Sequence, residues 1–200
     1  VRRNRPANPY KRPDRFAKKA QGEGYAARSV YKLEEIVRRT RVLRRGDRVV
    51  DLGCSPGSWM VFAAEAVGPS GIVLGVDVEE PKVHPGPVIV RSVLEVTADE
   101  IRAALGGPAD AVLSDMAPRT TGDTFGDHVR QIELARAALQ LARELLAPGG
   151  SFVCKVFDGE EAHAFVQDVR TTFDETRRVR PEAVRTNSRE FYVVGLGRRA

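Results

Sequence analysis

Cysteine is scarce in this chain of 200 residues: Cys54 and Cys154 stand a hundred positions apart, and neither belongs to a CxxC pair or a Cys/His cluster. That spacing excludes a disulfide framework and a cysteine-based zinc site. The three histidines, His84, His128 and His163, are scattered, so no metal is expected. No apolar run approaches the roughly eighteen residues that a membrane helix needs. The N-terminal Val1-Arg2-Arg3-Asn4-Arg5-Pro6 is basic with no apolar stretch behind it, which argues against a secretory signal and for a cytoplasmic protein. The dinucleotide fingerprint G-x-G-x-x-G is missing, and so is the Gly-Lys-Ser/Thr of a phosphate-binding loop. What is present is 42% apolar and 30% charged, the balance of a soluble globular protein long enough for one full core.

The net charge of +5 is unevenly spread. Residues 1–48 carry 16 Lys and Arg against 5 Asp and Glu, whereas the remainder carries 16 against 22. A cationic first quarter suits contact with a polyanion, with a solvated basic tail as the plainer alternative. Pro6, Pro9 and Pro13, with few apolar side chains around them, make residues 1–20 read as unfolded. Residues 1–24 are therefore expected to form a flexible basic extension, and residues 25–200 a single domain.

Order is expected from about Tyr25. Ser29 is a candidate N-cap for a helix over 30–40, with Val30, Leu33, Ile36 and Val37 on one face. Apolar runs at 48–52, 72–77, 88–90, 111–115 and 151–157 read as buried strands, separated by helical patterns over 58–67, 97–105, 128–146 and 160–169. Two further strands, near 176–180 and 190–197, close the chain. Alternating apolar strands and helices imply an α/β domain with a parallel sheet covered on both faces. Ligands on such sheets bind outside the C-terminal ends of the strands.

Two groups of residues point to chemistry. The segment Asp51-Leu52-Gly53-Cys54-Ser55-Pro56-Gly57-Ser58-Trp59 follows a strand with glycines that let the backbone turn and a ligand approach. Its D-x-G-x-x-x-G form, with Asp77 ending the second strand, looks like the S-adenosylmethionine site of Rossmann-like methyltransferases, though a tight turn alone would also account for the glycines. The second group is Lys32 on a mostly apolar helix face, Asp115 after a strand, Lys155 inside Phe152-Val153-Cys154-Lys155-Val156-Phe157, and Glu190 opening the last strand. A lysine inside such a strand is costly to bury unless it is paired.

Five collinear segments resemble the FtsJ/RrmJ family: Arg28-Ser29-Val30-Tyr31-Lys32-Leu33, the 51–59 loop, Ser114-Asp115-Met116-Ala117-Pro118, residues 146–157 and Arg185-Thr186-Asn187-Ser188-Arg189-Glu190-Phe191-Tyr192. The resemblance implies a Rossmann-like S-adenosylmethionine-dependent methyltransferase fold, with a seven-stranded mostly parallel sheet and helices on both faces. It implies 2′-O-ribose methylation of a uridine in the A loop of 23S rRNA within the large ribosomal subunit, by a monomer with no membrane or DNA partner. The implied catalytic tetrad is Lys32, Asp115, Lys155 and Glu190, with Lys155 in the place of the base. Cofactor contacts carry over to Asp51, Gly53, Gly57, Trp59, Asp77 and Asp115. The acidic residue that the family carries after strand three is replaced here by Val90-Arg91-Ser92-Val93-Leu94, so adenine recognition is left to backbone groups or Ser92. The loop 119–127 also differs from the family's usual one.

A ribose hydroxyl is a poor nucleophile at neutral pH, whereas a sulfonium methyl is already electrophilic, so alignment is the main demand on the enzyme. Lys155 then acts either as a neutral base or as a charged group that orients the hydroxyl. Alternative readings are methylation of another RNA, such as tRNA or an mRNA cap, and a non-catalytic RNA-binding assembly factor.

Overall fold

The computed structural model describes residues 15–118 and 123–200. Helices α1 (Arg15–Gly22) and α2 (Val30–Thr40) precede the first strand. Then follow β1 (Arg48–Leu52), α3 (Ser58–Val67), β2 (Ile72–Asp77), β3 (Val88–Val90), α4 (Ala98–Leu105) and β4 (Ala109–Ser114). The chain closes with α5 (Thr124–Leu145), β5 (Leu146–Phe157), α6 (Ala162–Thr172), β6 (Phe173–Val179) and β7 (Glu190–Arg198).

The seven strands form one sheet in the order β3-β2-β1-β4-β5-β7-β6. Strands β1 to β5 pair in parallel, and β7 runs antiparallel to both β5 and β6. Strand side chains alternate between two apolar layers. Val50 and Leu52 of β1 share one layer with Ile101 of α4, Ile132 and Leu139 of α5 and Phe165 of α6, whereas Val49 joins Leu33 and Ile36 of α2 and Met60 and Ala63 of α3. The chain winds outward from β1 through β2 to β3 and then crosses back to β4, so the strand order reverses between β1 and β4. A crevice opens above the C-terminal ends of strands at such a reversal.

Several local expectations give way to packing. The first described element begins at Arg15, ten residues before order was expected, because Phe16, Ala20 and Tyr25 pack against Val30, Tyr31 and Ala183. Three apolar contacts suffice to seat a short basic helix that composition alone reads as unfolded. Residues 1–14 lie outside the described residues. Ser29 stands at the N-cap of α2, yet its hydroxyl caps nothing. The preceding turn is itself helical, so Tyr31 and Lys32 donate their amides to the carbonyls of Arg28 and Ser29 at 3.3 and 3.0 Å. Strand β5 starts at Leu146 rather than Ser151: Ala109 pairs with Leu146, and the register shifts before Ala111 meets Ser151. Part of the 119–127 loop lies outside the described residues, and α5 already begins at Thr124.

Candidate active site

Strand register brings three of the polar residues onto one face. In the β5–β7 ladder Lys155 faces Tyr192, and Phe157 faces Glu190. Residues two apart share a face, so Glu190, Tyr192 and Lys155 all project toward the layer that contains α2. Strand β4 pairs with β5 up to Ser114 and Cys154, and Asp115 follows at its C-terminal end. Helix α2 supplies Lys32 from above, next to buried Leu33 and one turn from buried Ile36. All four residues expected in the tetrad therefore converge at the crevice.

They form two ion pairs joined by a phenol. The Lys32 ammonium pairs with the Glu190 carboxylate. Lys155, only 6% exposed, places its Nζ 3.1 Å from Asp115 Oδ1 and donates to the Asp115 carbonyl oxygen at 2.5 Å. Between the pairs stands Tyr192, whose hydroxyl donates to Asp115 Oδ1 at 2.6 Å and whose ring centroid is 6.0 Å from Lys32 Nζ. Burial would raise the Asp115 carboxyl, but the Lys155 and Lys32 ammoniums and the Tyr192 and Lys155 hydrogen bonds outweigh it and hold the group below the usual carboxylate range. Burial and the neighbouring Asp115 and Glu190 carboxylates push the Tyr192 phenol well up, so it is a donor. Tyr192 is the member that sequence reasoning missed. Its place two residues after Glu190 puts it on the same strand face, but only the pairing with Lys155 across the ladder gives it a role.

Two cavities meet the tetrad. One, of about 330 Å³, lies over the ends of β1, β2 and β4 and is lined by Gly53, Ser55, Asp77, Ser92 and Asp115 with the apolar Val76, Val78, Val93, Met116 and Leu134. The other, of about 390 Å³, is lined by Arg28, Ser29, Lys32, Arg185, Asn187, Ser188 and Glu190. Burial first, and then the like charge of Arg185, lowers the Arg28 guanidinium.

The residues expected to hold a cofactor divide between the first cavity and its supports. Gly53, Asp77 and Asp115 line the cavity, whereas Asp51, Gly57 and Trp59 are not among the residues that line it. A Cβ on Gly53, at φ +79°, would stand 2.5 Å from Met116 Cγ. A Cβ on Gly57 would meet the Val83 carbonyl oxygen at 1.9 Å, so the loop admits only glycine there. Asp77 ends β2 with Oδ2 accepting from Ser55 N at 2.9 Å and Oδ1 from Glu79 N at 3.0 Å, which fixes the loop around it. Trp59 is buried, donates Nε1–H to the Ser29 carbonyl at 2.9 Å, and leans on Tyr192 with ring centroids 5.8 Å apart, so it braces α2 beneath the tetrad. Asp51 is fully buried, and neither of its carboxylate oxygens has a hydrogen-bond partner among the described residues. Burial, together with the charges of Asp115 and Asp77, raises its pKa well above the usual range and so favours the neutral carboxyl.

A parallel sheet with an antiparallel β7, a glycine loop after β1, an acidic residue ending β2 and a Lys/Asp pair at the end of β4 define a Rossmann-like methyltransferase. The profile of the FtsJ-like methyltransferase family matches residues 25–198, and the chain belongs to that family. It is 48% identical over 197 residues to the ribosomal RNA large subunit methyltransferase E of Desulfosudis oleivorans, covering 97% of this chain and 95% of that one. With the protein of the same name from Sorangium cellulosum it shares 46% over 199 residues, covering 98% and 93%. A crystal structure described as a ribosomal RNA methyltransferase from Plasmodium falciparum superposes with a TM-score of 0.76 at 22% identity over 87% of this chain and 98% of that one, a likeness of fold.

Proposed function

We propose that the chain methylates the ribose 2′-hydroxyl of a uridine in the A loop of 23S rRNA, with S-adenosylmethionine as donor and the large ribosomal subunit as substrate. The observation that carries this reading is the Lys155–Asp115 ion pair, whose Asp115 lines one cavity, tied through Tyr192 to the Lys32–Glu190 pair that lines the other. The near-full-length relatives that carry the name ribosomal RNA large subunit methyltransferase E support the substrate class. In this reading the enzyme works as a monomer in the cytoplasm.

The first cavity fits the donor. Asp77 presents carboxylate oxygens for ribose hydroxyls, Gly53 leaves room for a close backbone approach, and Val76, Val78, Val93 and Met116 offer an apolar slot for adenine beside Ser92. When bound there, S-adenosylmethionine supplies an electrophilic methyl group. In the second cavity Arg28 and Arg185 suit the phosphodiester backbone, and a substrate with a 2′-OH is RNA. The Lys155–Asp115 ion pair supports the version in which the ammonium orients the 2′-hydroxyl while the hydroxyl oxygen takes the methyl from sulfur, the hydroxyl proton being lost late to solvent or a carboxylate. Lys32 is neutralised by Glu190 and Lys155 by Asp115, so the tetrad adds little net charge where the methyl is transferred.

Transfer of a labelled methyl from S-adenosylmethionine to undermethylated large subunits, with the modified nucleotide mapped, tests the reading. Label is expected on one 23S uridine ribose. Label confined to tRNA, or full turnover by Lys155→Ala, overturns it.

A further inference from the structure

Strand β4 ends one residue before the site, and β5 runs on without it. The last β4–β5 pair joins Ser114 to Cys154, yet β5 continues to Phe157. In an extended strand the carbonyl of one residue and the amide of the residue two further on face the same edge. At the edge that β4 abandons, these groups are the Lys155 carbonyl and the Phe157 amide. Lys155 is buried and Phe157 half-buried, so both groups need partners. Gln131, on the inner face of α5 and 1% exposed, supplies both: its Nε2 donates to the Lys155 carbonyl at 2.6 Å, and its Oε1 accepts from Phe157 N at 3.0 Å. One side-chain amide thus stands in for the missing residue of β4, at the residue whose ammonium contacts Asp115.

We propose that Gln131 is a positioning residue for the methyl transfer: its bridge holds the Lys155 backbone past the end of β4 and so fixes where the ammonium meets the acceptor hydroxyl. The inference rests on the role given to Lys155 above. Three features make the bridge specific to position. It takes the carbonyl of Lys155 itself, it uses both ends of one amide so that neither can drift independently, and it comes from a helix whose apolar residues Ile132, Ala135, Ala138 and Leu139 lock it to the sheet. Gln131 is absent from the linings of both cavities, so its loss leaves binding of donor and RNA in place.

The test compares Gln131→Met, which keeps the length but removes both hydrogen bonds, with Gln131→Glu, which keeps an acceptor for Phe157 N–H and turns a carboxylate oxygen toward the Lys155 carbonyl. Turnover is counted per site that binds S-adenosylhomocysteine, so that unfolded protein does not enter. The expected result is a kcat lowered about ten- to hundredfold, as an ångström-scale misplacement costs, with KM for S-adenosylmethionine and for large subunits within about twofold. A purely structural role predicts the opposite: a lower melting temperature with kcat per binding site unchanged, and that result in either variant overturns the inference. Should Gln131→Met fail to fold, Gln131→Glu carries the comparison alone. Lys155→Met is measured alongside. If it loses turnover while both Gln131 variants keep theirs, the positioning role fails and the reading of Lys155 stands. If Lys155→Met keeps turnover, both fall.

Discussion

Tyr192 stands directly opposite Lys155 in the β5–β7 ladder, and the two side chains converge on the same carboxylate oxygen of Asp115, at 2.6 and 3.1 Å. Asp115 is thus gripped from two strands at once, by a neutral donor and a charged one. The grip keeps a largely buried carboxylate ionised, and through it Lys155 is held beside the residue that lines the first cavity. Tyr192 itself cannot move aside, because its ring is enclosed by Trp59, Val153 and Val194.

Removing the phenolic oxygen isolates its contribution. Tyr192→Phe keeps the ring packing and deletes one hydrogen bond to a charged group, which predicts a loss of roughly 1.5–3 kcal/mol in unfolding free energy. Turnover should fall in parallel, since Lys155 alone then restrains Asp115. Urea denaturation of the ligand-free protein and single-turnover kinetics check the two effects. Unchanged stability would show that the Tyr192–Asp115 bond adds nothing.

Two buried carboxyls respond to pH in opposite senses. The Asp51 pKa is raised in the fold, so the stabilisation it contributes is complete below its unfolded value, about 3.9, and is lost as pH rises through the folded value. Asp51→Asn mimics the neutral carboxyl and should match the parent at acid pH, then become increasingly more stable than it toward alkaline pH. Asp115 has a depressed folded pKa, so its contribution is present above the unfolded value and is lost as pH falls through the folded one. Asp115→Asn should therefore be less stable than the parent at neutral pH, with the gap closing toward low pH. Melting temperatures of the three proteins across pH settle the signs; parallel curves for Asp51→Asn and the parent would contradict the neutral Asp51.

The sheet was largely legible in the sequence because a parallel strand is buried on both faces and reads as a mostly apolar run, as Val49, Val50 and Leu52 do here around the single Asp51. Lys155 stood out because charges are rare in such runs, between Cys154 and Val156; that it belongs with Lys32, Asp115 and Glu190 was implied by the family resemblance. Tyr192 and Gln131 were not legible, for one shared reason. An aromatic in a strand and a glutamine on a helix are ordinary residues there, and only cross-strand register and the early end of β4 give them partners. Helix α1 escaped notice because its support, Ala183, comes from the far end of the chain. Ser29 illustrates the reverse error: the right residue type stood at the right place, and a neighbouring backbone turn had already met the need.

The ion pair of Lys32 with Glu190 ties α2 to β7 across the mouth of the second cavity, and its side chains are 13% and 14% exposed. A double-mutant cycle with Lys32→Met and Glu190→Gln should return a coupling of roughly 1–3 kcal/mol in unfolding free energy, above the exposed-pair range and within that of contacting residues. Each single variant leaves an uncompensated charge close to Tyr192 and Asp115, so each should cost more than the double variant. Simple additivity would mean that the pair is no stronger than a surface contact.

Arg28 and Arg185 line one cavity with Lys32 and Glu190, and the like charge of Arg185 helps lower the Arg28 guanidinium. Two guanidiniums brought together repel, and an anion between them relieves the repulsion. If that anion is an RNA phosphate, each arginine releases about one counterion on binding, so Arg28→Ala and Arg185→Ala should each flatten the slope of log affinity against log salt by about 1. The measurement is large-subunit or rRNA binding at several salt concentrations. Binding of S-adenosylhomocysteine should be unaffected, because neither side chain lines the donor cavity. Slopes equal to the parent's in both variants would remove the phosphate from this cavity and send the search for the RNA path to the Arg38, Arg39 and Arg177 surface, where Arg177 bonds the Arg39 carbonyl.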